Sequence, residues 1–331
     1  MSPQGFTMYD VLLRNAASFG ERTAVVYDGG SLTHKALLKK VDALATGLAG
    51  HALVRGERIC ILAQNWVEYF ELYFACAKLG IIAYPINWRL TSDEVGHVLE
   101  RARPRMFITD SASLGLVADW PQKHKEIPYW YQFGDQPGEG YTPFRRLYIE
   151  GGAEEAPAVS GDDTFMVIST AAVDVIPRGA ALSHDNVIMS NLQTIATMGL
   201  NETDCHLMAL PLFHVTALGW GMTVAHAGGC NVIATKFDAA ASIKLIDRHK
   251  VTVVASFPPV LKTLLDEAEK AGSTLPSLRH ATGLEFPETI ERLQKNTKAT
   301  FWTGFGQSET SGFVTIQRYN ERPGAAGRTG L

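Results

Sequence analysis

The sequence predicts an α/β fold, one large domain or two interlocked ones, with parallel sheets covered on both faces. Three observations carry this. Short apolar runs of strand length alternate with helical patterns along nearly the whole chain, the signature of a covered parallel sheet. A length of 331 residues can bury a large core. A chain 46% hydrophobic and 19% charged has the composition of a globular protein.

The elements follow in order. TAVVYDGGSLTH is expected as a hairpin turning at Gly29 and Gly30, with Thr33 capping the next helix. RICILAQ is a strand. Asn65 precedes WVEYFELYFACAKLG, which is apolar nearly all round and therefore a buried helix. GIIAYPI, RMFITD, TFMVIST, CHLMAL, CNVIAT, VTVVAS and ATFWTG are further short apolar runs. Helical patterns cover 185–198, 239–249 and 260–270. Residues 134–163, rich in Gly, Pro and acidic residues, are expected as a surface excursion.

A net charge of -4 supplies no polybasic signature, so nucleic acid is not an expected partner. Recognition must instead be local, in a pocket. Cys60, Cys76, Cys205 and Cys230 form no CxxC pair and have no neighbouring histidine cluster, which speaks against a zinc site or a disulfide scaffold. The start lacks a basic segment followed by an apolar one, so no signal peptide is expected. The longest apolar stretch, residues 73–86, is broken by Lys78 and Pro85, so no transmembrane segment is expected either. A reducing cytoplasm is the expected location.

Three segments bear chemistry. In VISTAAVDVIPRGAALSHDN a strand runs into a small-residue loop with Arg178 and then a helix capped by Ser183. Backbone N–H groups and an arginine can hold oxyanions, although a bland turn would look similar. It does not match GxxxxGK[ST]. In LPLFHVTALGWG, His214 is either a satisfied core histidine or a group that contacts a carboxylate. In TGFGQSET, Gly304 and Gly306 permit close backbone approach, and Phe305 offers an aromatic face. Ser308 supplies a hydroxyl and Glu309 a hard oxygen suited to Mg²⁺ beside phosphates. The bland alternative is a tight turn with a solvated glutamate.

In this order and at these separations, the three segments resemble the AMP-forming adenylate superfamily of acyl-CoA synthetases, aryl-CoA ligases, luciferases and adenylation domains. The first lies where that family has its phosphate loop ending in PKG. PLFHV resembles PLFH, and GFGQSE resembles GYGxTE. The resemblance covers essentially the whole chain, including RGERICILAQNWVEYFELYFACAKLGIIAYPINWRL and RPGAAGR.

It implies two interlocked αβα-type subdomains, residues 50–197 forming one and 5–45 with 200–331 the other. ATP and acyl sites are expected at strand carboxyl ends. Thr170 and Arg178 would meet the β- and γ-phosphates of ATP, with Asp174 completing the loop. His214 would lie near the reacting carboxylate. Phe305 would stack on adenine between Gly304 and Gly306, with Gln307 beside it. Ser308 would bond the α-phosphate, and Glu309 would ligate Mg²⁺. Trp220, Phe257, Gly283, Leu284 and Glu285 would border a fatty or aryl acid. The implied partners are that acid, ATP and CoA, or a carrier protein in place of CoA; a homo-oligomer is compatible with the resemblance.

The chain also departs from the family pattern. Ala172 and Val175 replace loop glycines, and a β-branched residue at positive φ costs about 1–2 kcal/mol. This implies a different loop path or a weakened site, and leaves a family member that binds a nucleotide or acyl ligand without turnover as a second reading. Asp174 adds a negative charge there, while Arg178 in place of Lys keeps the cation. Glu285 stands in the family's small-residue GGAPL segment and is expected to face solvent. The chain ends before the family's TGD motif, barrel, hinge and lid. A truncated fragment, inactive alone, is therefore expected.

Overall fold

The computed structural model describes residues 5–151, 157–170 and 178–330. They divide into two compact units, each built on one sheet.

The first unit comprises residues 1–21, 33–188 and 212–214. Its seven-stranded sheet runs Thr142–Pro143, Tyr129–Gln132, Met106–Thr109, Arg58–Leu62, Ile82–Pro85, Thr164–Ser169 and Gly179–Ser183. All neighbours are parallel except the last pair, an antiparallel hairpin. The apolar helix Val67–Leu79 is buried on all sides, as its sequence requires. Thr33 caps helix His34–Ala49 by accepting from the Ala36 N–H at 3.2 Å, a contact worth about 1 kcal/mol. Ser183 and Asn186 cap each other where helix His184–Met198 begins.

Two expectations need correction here. Residues 5–21 and 33–45 pack with the first unit, leaving only 22–32 with the second, and the helix passes between units at residue 188. The cause is a set of polar contacts on four helices. Tyr9 Oη donates to Asp42 at 2.6 Å, Lys78 pairs with the same carboxylate at 2.7 Å, and the Met8 N–H donates to His184 Nδ1 at 3.2 Å. The segment 134–163 is also less superficial than its composition implies. Tyr141, Phe144 and Leu147 are buried, and Phe144 meets Phe133 edge-on at 4.7 Å. A Cβ on Gly47 would lie 1.8 Å from the Leu147 carbonyl, so the helix admits this segment only through that glycine.

The second unit comprises residues 22–32, 189–211 and 215–331. Its nine-stranded sheet runs Arg328–Thr329, Gly312–Arg318, Thr300–Gln307, His280–Gly283, Val253–Ser256, Cys205–Met208, Cys230–Ile233, Thr23–Tyr27 and Gly30–Thr33. The strands from Thr300–Gln307 to Thr23–Tyr27 are parallel. One face buries Leu207, Val254, Ala281 and Phe301 beneath helices Ala239–His249 and Val260–Ala271. The other buries Trp220, Val253, Ala255 and Trp302. Three buried histidines have pKa values pushed down to about 4, chiefly by burial: His184 in the first unit, His206 and His280 in the second. Among the described residues no helix is long and apolar enough to cross a membrane.

Candidate active site

The residues implicated by sequence fall into two groups, one in each unit. In the first unit, Thr170 and Arg178 stand at the open end of the hairpin Thr164–Ser169/Gly179–Ser183. The Thr170 N–H donates to the Arg178 carbonyl at 2.8 Å, and the Arg178 N–H donates to Thr170 Oγ1 at 3.4 Å. These bonds close the base of the loop and leave the Arg178 side chain exposed. A Cβ on Gly179 would lie 2.5 Å from a Val167 methyl and 2.9 Å from Tyr84 Oη, which explains the glycine after the arginine. Asp174, with Ala172 and Val175, lies outside the described residues.

His214 also belongs to the first unit, at the end of Leu212–His214. The Leu212 N–H donates to the buried Asn65 Oδ1 at 2.9 Å. Phe213 meets Trp88 edge-on at 6.2 Å, and the Arg89 guanidinium lies over both rings, 4.3 Å from Trp88 and 5.6 Å from Phe213. His214 keeps solvent access on one side. Crowding by protein and the nearby Arg89 charge both lower its pKa, which favours a neutral imidazole. Asn65, Trp88 and Arg89 were not singled out as site residues from sequence. The signal was there, in QNW and INWRL of the early segment, but only the fold carries those loops to Leu212 and Phe213.

In the second unit, parallel register aligns Ser256, Gly283 and Thr303 across three neighbouring strands. Phe257, Leu284 and Phe305 therefore follow at one edge, the carboxyl side where open α/β sheets place ligands. Gly283 has φ +129°, and a Cβ there would lie 2.0 Å from the Ser256 carbonyl. Leu284 and Phe305 are 63% and 52% exposed, so both present apolar surface at this edge. Glu285 does not simply face solvent as expected: it is half-buried, with Oε2 accepting from Ser256 Oγ at 3.3 Å and Oε1 from the Phe286 N–H at 3.1 Å.

Strand Thr300–Gln307 turns through Ser308–Thr310 into strand Gly312–Arg318. A Cβ on Gly304 would lie 2.2 Å from the Thr315 carbonyl, and one on Gly306 2.3 Å from the Gly312 carbonyl. The hairpin thus needs both glycines for its own pairing. Gln307 and Thr310 cap the turn reciprocally, while Ser190 and Gln193 donate to the Ser311 and Phe313 carbonyls at 3.1 Å each. Held this way, Phe305 and Glu309 remain exposed and Ser308 half-buried. One exposed carboxylate suits Mg²⁺ arriving on phosphates, and an exposed aromatic face suits a nucleobase. Trp220 is a core residue, meeting Phe313 edge-on at 6.3 Å.

The sequence profile of the AMP-binding enzyme family matches residues 12–330. The chain belongs to that family. Among relatives of this AMP-binding family member, a feruloyl-CoA synthase from Amycolatopsis is 27% identical over 99% of the chain and 65% of its own length. The chain thus spans under two thirds of the length of such curated relatives. A crystal structure from Rhodopseudomonas palustris, bearing the name of a long-chain-fatty-acid CoA ligase, is 42% identical with TM-score 0.94, covering 99% of this chain and 82% of that one. The N-terminal domain of FACL13 from Mycobacterium tuberculosis, 23% identical with TM-score 0.88 over 98% of this chain and 82% of that one, shares the fold.

Proposed function

We propose that the protein is an acid–CoA ligase that activates a fatty or aryl carboxylic acid with ATP. The observation that carries this reading is the family match across residues 12–330; relatives named as feruloyl-CoA synthase and long-chain-fatty-acid–CoA ligase support the substrate class. In the first half-reaction a carboxylate oxygen attacks the α-phosphorus and pyrophosphate leaves, giving an acyl-adenylate. In the second, the CoA thiol displaces AMP. The chemistry asks for positioning and charge neutralisation more than for a base.

In this reading the Arg178 guanidinium and Thr170 hold the β- and γ-phosphates, with Asp174 beside them. Neutral His214 donates toward the acid carboxylate without adding charge. Phe305 stacks on adenine, Gly304, Gly306 and Gln307 keep its edge open, and Ser308 bonds the α-phosphate. Glu309 would hold Mg²⁺, which when bound neutralises phosphate charge. Phe257, Gly283, Leu284 and Glu285 border the acid, with Trp220 backing them. A cytoplasmic location belongs to the same reading.

The test is ATP–pyrophosphate exchange by the protein at its native length, against short, medium, long-chain and aryl acids. Exchange stimulated by one class is the expected result and names the substrate. A folded protein that exchanges with none of them while still binding nucleotide would replace this reading with a binder lacking turnover.

A further inference from the structure

Cys205 and Cys230 are 25 residues apart in sequence, yet they are register partners at the first positions of two parallel strands. Neighbouring strands lie about 4.8 Å apart, inside the roughly 4.4–6.8 Å window of Cα separations that a disulfide spans. In parallel register the two side chains leave the sheet on the same face, and both pack in the same core cluster. Both are free thiols, Cys205 buried and Cys230 half-buried. We propose that this pair is a peroxide-responsive dithiol that closes to a reversible disulfide between strands Cys205–Met208 and Cys230–Ile233.

The two sulfurs have different tasks. The interaction between the two neighbouring thiols favours the Cys230 thiolate and lowers its pKa. Its neighbour Cys230, together with burial and the Asp204 carboxylate, keeps Cys205 protonated. Cys230, the more accessible of the two, is then the nucleophile. Its thiolate attacks one oxygen of hydrogen peroxide, the O–O bond breaks, and a sulfenic acid and hydroxide form. The Cys205 sulfur attacks the sulfenic sulfur, its proton leaves with the departing hydroxyl as water, and the S–S bond forms. In sum, two thiols are oxidised and one peroxide is reduced to two waters.

Reversibility follows from the sheet. A disulfide needs Cβ atoms roughly 3.5–4.5 Å apart, closer than the strand spacing, so closure must draw the strands together and leaves a bond that thiols reduce readily. Cys60 and Cys76, fully buried in the other unit with thiols kept protonated by burial, serve as internal controls.

The experiment treats the folded full chain with hydrogen peroxide and maps its thiols by mass spectrometry. The expected result is loss of two hydrogens, a non-reduced peptide joining Cys205 to Cys230, and alkylation of both falling about tenfold and recovering with dithiothreitol. In Cys205→Ser the reaction should stop at a Cys230 sulfenic acid that dimedone traps, and Cys230→Ser should show neither product. Wild-type footprinting by iodoacetamide, with Cys230 labelled fastest of the four, gives a second reading if the serine variants do not fold. Oxidation of Cys60 or Cys76 first, or Cys230 passing to the sulfinic acid with no cross-link, would overturn the proposal.

Discussion

Two hairpins carry most of the residues read as nucleotide contacts, and they are built differently. The hairpin of the first unit is closed at its base by one backbone–backbone and one backbone–side-chain hydrogen bond between Thr170 and Arg178, and its one crowded glycine, Gly179, lies outside the loop. The hairpin of the second unit is held along its length. Gly304 and Gly306 admit the partner strand, Thr315 Oγ1 accepts the Phe305 N–H at 3.0 Å, and Ser190 and Gln193 anchor the return strand. The difference teaches that a glycine in a ligand motif need not be there for the ligand. In the second hairpin the glycines shape the backbone and leave Phe305 and Glu309 exposed; in the first, Arg178 is exposed without any such glycine inside the described part of the hairpin.

Acid should separate the two regions most strongly. A histidine with a depressed folded pKa stabilises the fold fully above its unfolded pKa of about 6.5, and that contribution is lost as pH falls toward about 4. Each one withdraws up to about 1.4 kcal/mol per pH unit within that window. His280 accepts from Trp302 Nε1 at 3.0 Å, directly on strand Thr300–Gln307, and His206 lies in the same sheet. Only His184, stacked on Phe165 at 4.9 Å, supports the first hairpin. Hydrogen exchange between pH 6.5 and 4 should therefore show protection falling more steeply in the second unit; equal slopes would remove the distinction.

Next in size is Gly283→Ala. It combines a left-handed φ with a Cβ 2.0 Å from a carbonyl, and should cost about 3 kcal/mol or more in a denaturant titration. A loss under 1 kcal/mol would show that the strand can shift, and would weaken the account of Gly304 and Gly306 as well.

Arg178→Ala tests the opposite logic. Its side chain is exposed, so stability should hardly change, while pyrophosphate exchange should fall about 100-fold, as for loss of a charge-stabilising donor. Unchanged exchange would take the first hairpin out of the chemistry. Phe305→Ala is the mildest of the series. Loss of a stacking face worth about 1–2 kcal/mol should weaken nucleotide binding roughly 5–30-fold by calorimetry, with the thermal midpoint unmoved.

Much of the fold was legible because strand and helix periodicities are local properties. The apolar circumference of Val67–Leu79, the Thr33 cap and the runs that became both parallel sheets could be read from neighbouring residues alone. What could not be read depends on which residues meet across the chain. Helices Met8–Ser18 and His34–Ala49 join the first unit through Asp42 and Lys78, a pairing no window of sequence displays. Glu285 was expected in solvent because a lone charge normally is, but Ser256, 29 residues earlier, supplies a partner. The same holds for His214: its motif was visible, while Asn65 and Arg89, which hold and bias it, were not.

The three-residue insertion of Leu212–His214 into the first unit has a practical consequence for dissecting the protein. With residues 22–32 assigned to one unit and 212–214 to the other, no single cut yields two self-contained halves. A fragment ending at residue 188 would leave Asn65 without the Leu212 amide it now accepts, and one beginning at 189 would lack the strand Thr23–Tyr27 beside Cys230–Ile233. Split-protein reporters or separately expressed domains would have to carry the chain across both crossings.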